Sequence, residues 1–102
     1  MNQQLYAIRD VKMGNYGKPI MSPNQAVLLR QLGDIIARKD SLFFEHPEDF
    51  QIFRIGEFDQ KIGSIKPCDP QFVTNVQDIH QSVFANPNQT DLFGKEQNGK
   101  ET

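Results

Sequence analysis

Arg9, Lys12, Tyr16 and Lys18 set three cations and a phenol ring within ten residues. Arg30, Arg38 and Lys39 follow, and Arg54 stands alone later in the chain. Guanidinium and ammonium groups pair with anions, and an aromatic ring offers a flat face for stacking. The charge is unevenly spread. The 102 residues carry a formal net charge of −2, yet residues 1–39 hold six Lys/Arg against two acids. Residues 40–102 hold five Lys/Arg against eleven acids. Such a split marks a nucleic-acid or partner surface at one end, or two halves that attract each other within the fold. The pattern permits both. The overall balance, with a pI of 5.6, argues against a histone-like or wholly basic coat.

Residues that could do covalent chemistry are sparse. Cys68 is the only cysteine, so no disulfide forms within the chain, which fits a reducing cytoplasm. It lacks an activating motif and reads as a small structural thiol. His46 and His80 have no Cys or His partner at zinc spacing. Glu57 and Asp59 flank a turn and read as solvated hairpin carboxylates. Gly14 and Gly17 lack the Lys-Ser/Thr of a phosphate loop. There is no nucleophile elbow and no zinc-protease helix. The expectation is a protein that binds rather than catalyses, with no cofactor and no metal.

These side chains must be held by a small scaffold. Hydrophobic residues make up 37% of the chain and the mean hydropathy is −0.57. No apolar run approaches the ~18 residues of a membrane span. The polar start has no signal-peptide pattern. Leu5 to Lys12 reads as a strand ending in the turn-rich Gly14-Asn15-Tyr16-Gly17. A helix is predicted over 23–38. Ser22 is its expected cap, Pro23 suits the first position, and Gln25 completes a capping box. Leu28, Leu32, Ile35 and Ile36 form its apolar stripe, with Gly33 as a break or a close contact. Arg30, Asp34 and Arg38 share its polar face, as a paired solvated stripe or a binding ridge.

Ser41 to Phe44 is expected to anchor the helix exit, and His46 to Asp49 reads as a turn. Phe50 to Phe58 is the strongest strand, with Gly56 as a bulge. A loop at 59–63 returns through Ser64-Ile65-Lys66 until Pro67 interrupts. Phe72 to Val76 reads as a further strand running on toward Ile79. From Asn86 onward the chain is polar and rich in Gly, Asn and Gln. The expected fold class is α+β: a small, mainly antiparallel sheet in β-α-β-β order with one main helix on one face. Residues 1–84 form one globular domain and 85–102 a disordered tail. A body this small invites a homodimer that pairs edge strands or buries Phe43 and Phe44.

The order of segments is specific. The strand Leu5 to Lys12 precedes Tyr16-Gly17-Lys18-Pro19; His46-Pro47-Glu48-Asp49-Phe50, Ile55-Gly56-Glu57-Phe58-Asp59 and Gly63 follow the helix. Over about residues 4–67 this resembles the small nonstructural protein of gokushovirus-type microviruses, phages with circular single-stranded DNA. The resemblance implies a non-enzymatic accessory role in viral DNA replication and packaging, in the host cytoplasm. Its counterpart is the small coliphage microvirus protein that switches replication toward single-strand synthesis into the procapsid. With single-stranded DNA as ligand, the chemistry nominates Arg9, Lys12, Tyr16, Lys18, Arg30, Arg38, Lys39 and Arg54, and weak, salt-dependent binding. Arg9 and Arg54 share a face if the first strand pairs beside the central one. For Tyr6, Tyr16 and Phe53 the alternative is core packing.

A second signal lies in the tail. Gln89-Thr90-Asp91-Leu92-Phe93 resembles the peptide by which bacterial proteins dock on the replication sliding clamp. Leu92 and Phe93 would enter an apolar pocket while Gln89 and Asp91 stay at its rim. This supports an alternative, an adaptor that engages the host replication machinery; a fortuitous match, or a segment folding back on the domain, competes with it.

Overall fold

The computed structural model describes residues 2–38 and 40–85, without the side chains of 83–85. Strand β1 (Asn2–Asp10) leads through a tight turn to β2 (Asn15–Tyr16) and β3 (Ile20–Ser22). Helix α1 (Gln25–Ile36) follows, then the single turn α2 (Leu42–Glu45) and a 3-10 turn at Pro47–Asp49. The hairpin of β4 (Phe50–Asp59) and β5 (Ser64–Asn75) leads into α3 (Val76–Ala85). All pairings are antiparallel, in the order β2-β1-β4-β5, and β3 pairs with β1 on the same edge as β2. Among the described residues no helix is long and apolar enough to cross a membrane.

Strand alternation sorts the side chains. Tyr6 and Ile8 on β1 and Phe50 and Ile52 on β4 face the helices. Leu28, Leu32 and Ile36 of α1 meet them, together with Val76 and Ile79 of α3. Leu28, Ile36 and Ile52 are fully buried, each worth about 1.5–3 kcal/mol in transfer from water. The α+β class stands, but α1 shares the sheet face with α3.

Several local expectations need correcting. Asn24, not Ser22, caps α1: its side chain accepts the Val27 N–H at 2.9 Å. Ser22 belongs to β3, is 1% exposed, and donates its hydroxyl to the Asn24 carbonyl at 3.0 Å. Gly33 is buried within an unbroken helix. The segments at 64–66 and 72–76 are one strand. Pro67 does not end it, because β5 bulges outward: between the pairs Gly56↔Pro67 and Arg54↔Gln71, one residue of β4 faces Cys68, Asp69 and Pro70. Val76 to Ile79 is the start of α3 rather than strand, and the apolar spacing Val76, Ile79, Val83 is helical. Prolines and bulges on β5, and the shortness of β2 and β3, blunt both sheet edges. The tail, with its clamp-like peptide, lies outside the described residues.

Gly56 sits at the bulge as expected, and the reason is contact. A Cβ there would lie 2.7 Å from the Lys66 carbonyl oxygen, a backbone atom that cannot swing away. Gly56→Ala is expected to destabilise the fold by about 1–3 kcal/mol. Asn24→Ala is expected to cost about 1 kcal/mol through loss of the cap. Urea denaturation checks both; a Gly56→Ala midpoint equal to that of the native chain would refute the contact argument.

Candidate nucleic-acid interface

The face of the sheet opposite the helices carries a row of rings. Tyr16 on β2 meets Phe53 on β4 edge-on, centroids 5.6 Å apart at 74°. Phe53 meets Phe72 on β5 in the same way, at 5.7 Å and 74°. The Arg9 guanidinium lies 5.9 Å from the centre of the Tyr16 ring, at the outer limit of a cation–π contact. Register explains the row. Tyr16 pairs with Arg9, Ala7 with Phe53, and Phe53 with Phe72. Ala7 faces the same way as the rings and is only 1% exposed, because they cover it. Its small side chain lets Tyr16 and Phe53 meet across β1. Tyr16 is 42% exposed and Phe72 55%.

A polar row runs beside the rings. Arg9 pairs with Gln51, and Gln51 with Asn75. The Gln51 amide donates to the Asn75 side-chain oxygen at 3.4 Å. Among the described residues the open face therefore combines partly exposed rings, amide groups and one cation. Those are the parts a single-stranded nucleic-acid surface uses.

The nominated residues do not converge. Arg9 and Tyr16 lie together on the open face. Lys12 is in the turn after β1, 3.8 Å from Asp49. Arg30 is exposed on α1 and Arg38 just beyond it, in the helix layer. Lys39 lies outside the described residues. Lys18 lines an apolar cleft of about 470 Å3 on the helix side, with Ile8, Ile20, Leu32, Ile35 and Phe43.

Arg54 does not share a face with Arg9. It pairs in register with Tyr6, whose ring is in the core, so it points to the helix side. Its guanidinium donates to Gln4 at 2.6 Å and Gln71 at 3.1 Å, and lies 3.7 Å from Glu57. It also reaches the Cys68 sulfur at 3.4 Å. Arg54 therefore ties β1 and β4 to the bulge of β5 through Nε and Nη1, with Nη2 held beside Glu57. Sequence reasoning missed Phe72, Gln51 and Asn75. The signal was present: Gln51 and Phe53 share a strand face, and Phe72 stands in a run without charges.

His46, Glu48 and Asp49 place ligand atoms within 4.8 Å of one another, a grouping that zinc spacing in the sequence does not reveal. His46 lies 4.0 Å from Glu48, and Asp49 already faces Lys12. The group reads as local ion pairing in an exposed turn.

The Phage ORF5 protein family matches residues 3–79. Protein ORF5 of Chlamydia phage 1 is 33% identical over 78 residues, covering 72% of this chain and 81% of that protein. No solved structure matches. The chain is thus a bacteriophage protein of the gokushovirus-type microviruses, one of their small nonstructural proteins. It belongs to the Phage ORF5 protein family.

Burial pushes the Tyr6 hydroxyl above its ordinary value of 10.0, and the positive charge of Arg54 pulls the other way. Burial dominates. The unfolded chain then loses this proton at lower pH than the folded one, so the stability Tyr6 contributes is complete below about 10 and falls as pH climbs through the raised value. Thermal melts at rising alkaline pH should show a steeper loss for the native chain than for Tyr6→Phe. Parallel curves would contradict this.

Proposed function

We propose that this phage accessory protein acts in viral DNA replication and packaging by binding single-stranded DNA on the open face of its sheet. The observation that carries the reading is the row Tyr16–Phe53–Phe72 with Arg9 at its end. Every base has a π-face, so a ring row accepts single strands with little sequence preference. Duplex DNA hides those faces within its stack and fits the row poorly. Arg9 is the one cation beside the ring row among the described residues, so the phosphate contribution is small, in keeping with the net charge of −2. Binding is therefore weak, and a viral or host partner in the replication complex would set where it acts. The protein is non-enzymatic in this reading, and its place of work is the host cytoplasm.

Fluorescence anisotropy with a labelled oligothymidine at low salt tests this. Tyr16→Ala is expected to weaken binding by about 1–3 kcal/mol, the usual cost of one lost stacking ring. Arg9→Glu should weaken it and flatten its salt dependence. Arg30→Glu and Arg38→Glu, on the other side of the sheet, should leave it unchanged. Absence of binding at about 100 µM protein, or equal losses from the helix-layer variants, would defeat the reading.

A further inference from the structure

We propose that the cleft on the helix side is a receptor for the chain's own Leu92-Phe93 pair. The cleft is bounded by the 15–20 loop, α1 and α2. Ile8, Ile20, Leu32, Ile35, Phe43 and Phe50 give it an apolar wall, and its volume of about 470 Å3 is that of a site for a ligand or a pair of large side chains. Open to water, that wall forfeits stabilisation that an apolar occupant would restore.

Three features select the occupant. Seventeen residues follow Ala85, and Leu92 and Phe93 are the only large apolar side chains among them. The charges match: Asp10 and Lys18 are the charged residues of the cleft, and Asp91 and Lys95 flank the pair. The third is the tether. Helix α3 packs beside the helices that line the cleft: Ile79 shares the core with Leu32, and the His80 and Phe44 rings lie 5.5 Å apart. The six residues Asn86 to Asp91 span up to about 20 Å when extended. A tether of that length gives an effective concentration in the millimolar range, so a small contact suffices. While the pair occupies the cleft, an outside partner that recognises the same Leu-Phe must compete for it.

Amide NMR spectra of the full-length chain test this. Leu92→Ala/Phe93→Ala should shift the resonances of Lys18, Ile35 and Phe43, far from the substitutions in sequence. A synthetic peptide of residues 86–97, added in excess, should return them toward the native positions. Lys18→Glu should produce part of the same shift, and adding Asp91→Lys should reverse it. Shifts confined to residues 86–102 would overturn the proposal, as would purely additive effects of the two charge reversals. A native pattern lost on dilution would overturn docking within one chain and assign the cleft to the tail of a second copy. None of these readouts depends on DNA.

Discussion

The pairing of β1 with β4 is the constraint on which everything else rests. From Tyr6 to Asp10 it runs in register with Arg54 to Phe50. Because side chains alternate, this one ladder assigns every residue of both strands to a layer. Tyr6, Ile8, Phe50 and Ile52 go to the helices; Ala7, Arg9, Gln51 and Phe53 go to the open face. A slip of β1 by one residue would turn Arg9 toward the helices and Tyr6 and Ile8 toward the open face. The apolar demand of the helix layer fixes the register, and the open face inherits its composition from that choice.

The two arginines on these strands show how strongly register decides role. Arg9 lies on the open face between Tyr16 and Gln51, and among the described residues no acid forms an ion pair with it. Arg54, on the other face, is engaged by Gln4, Gln71 and Glu57 and contacts the bulge of β5. Backbones crowd together at the edge of that bulge. Gly56 approaches the Lys66 carbonyl so closely that no side chain fits, and the extra residues of β5 loop outward opposite it. One residue type thus faces open solvent in one place and ties strands together in the other, separated by the pleat of the sheet.

The segment joining β1 to α1 serves both faces. Tyr16 turns to the ring row, while Lys18 and Ile20 line the cleft on the far side. The Gly17 N–H holds the segment to the Ile8 carbonyl at 2.9 Å, and the Asp10 carboxylate accepts the N–H groups of Lys12 and Met13 in the turn before it. The two surfaces therefore share one short, hydrogen-bonded segment.

Much of the scaffold was legible in the sequence. The alternation from Phe50 to Phe58, the stripe Leu28, Leu32, Ile36 and the hairpin ending at Gly63 are local patterns, and local patterns encode local structure. So were the segments around Tyr16, His46 and Ile55 that resemble the gokushovirus proteins. The cap was misplaced by two residues because Ser22 and Asn24 are both good caps, and only the β3–β1 pairing draws Ser22 into the sheet. Val76 and Ile79 alone fit either period, so the strand expected to run on toward Ile79 gives way to the first turn of α3. What the sequence determined by itself was an α+β body with cations early and aromatics spread along it. Which of these meet was decided by tertiary structure. Tyr16, Phe53 and Phe72 are separated by 37 and 19 positions in the chain, and only cross-strand register makes them neighbours. Arg30, Arg38 and Arg54 were excluded from that surface for the same reason, since the pleat and the helix layer put them on the other side.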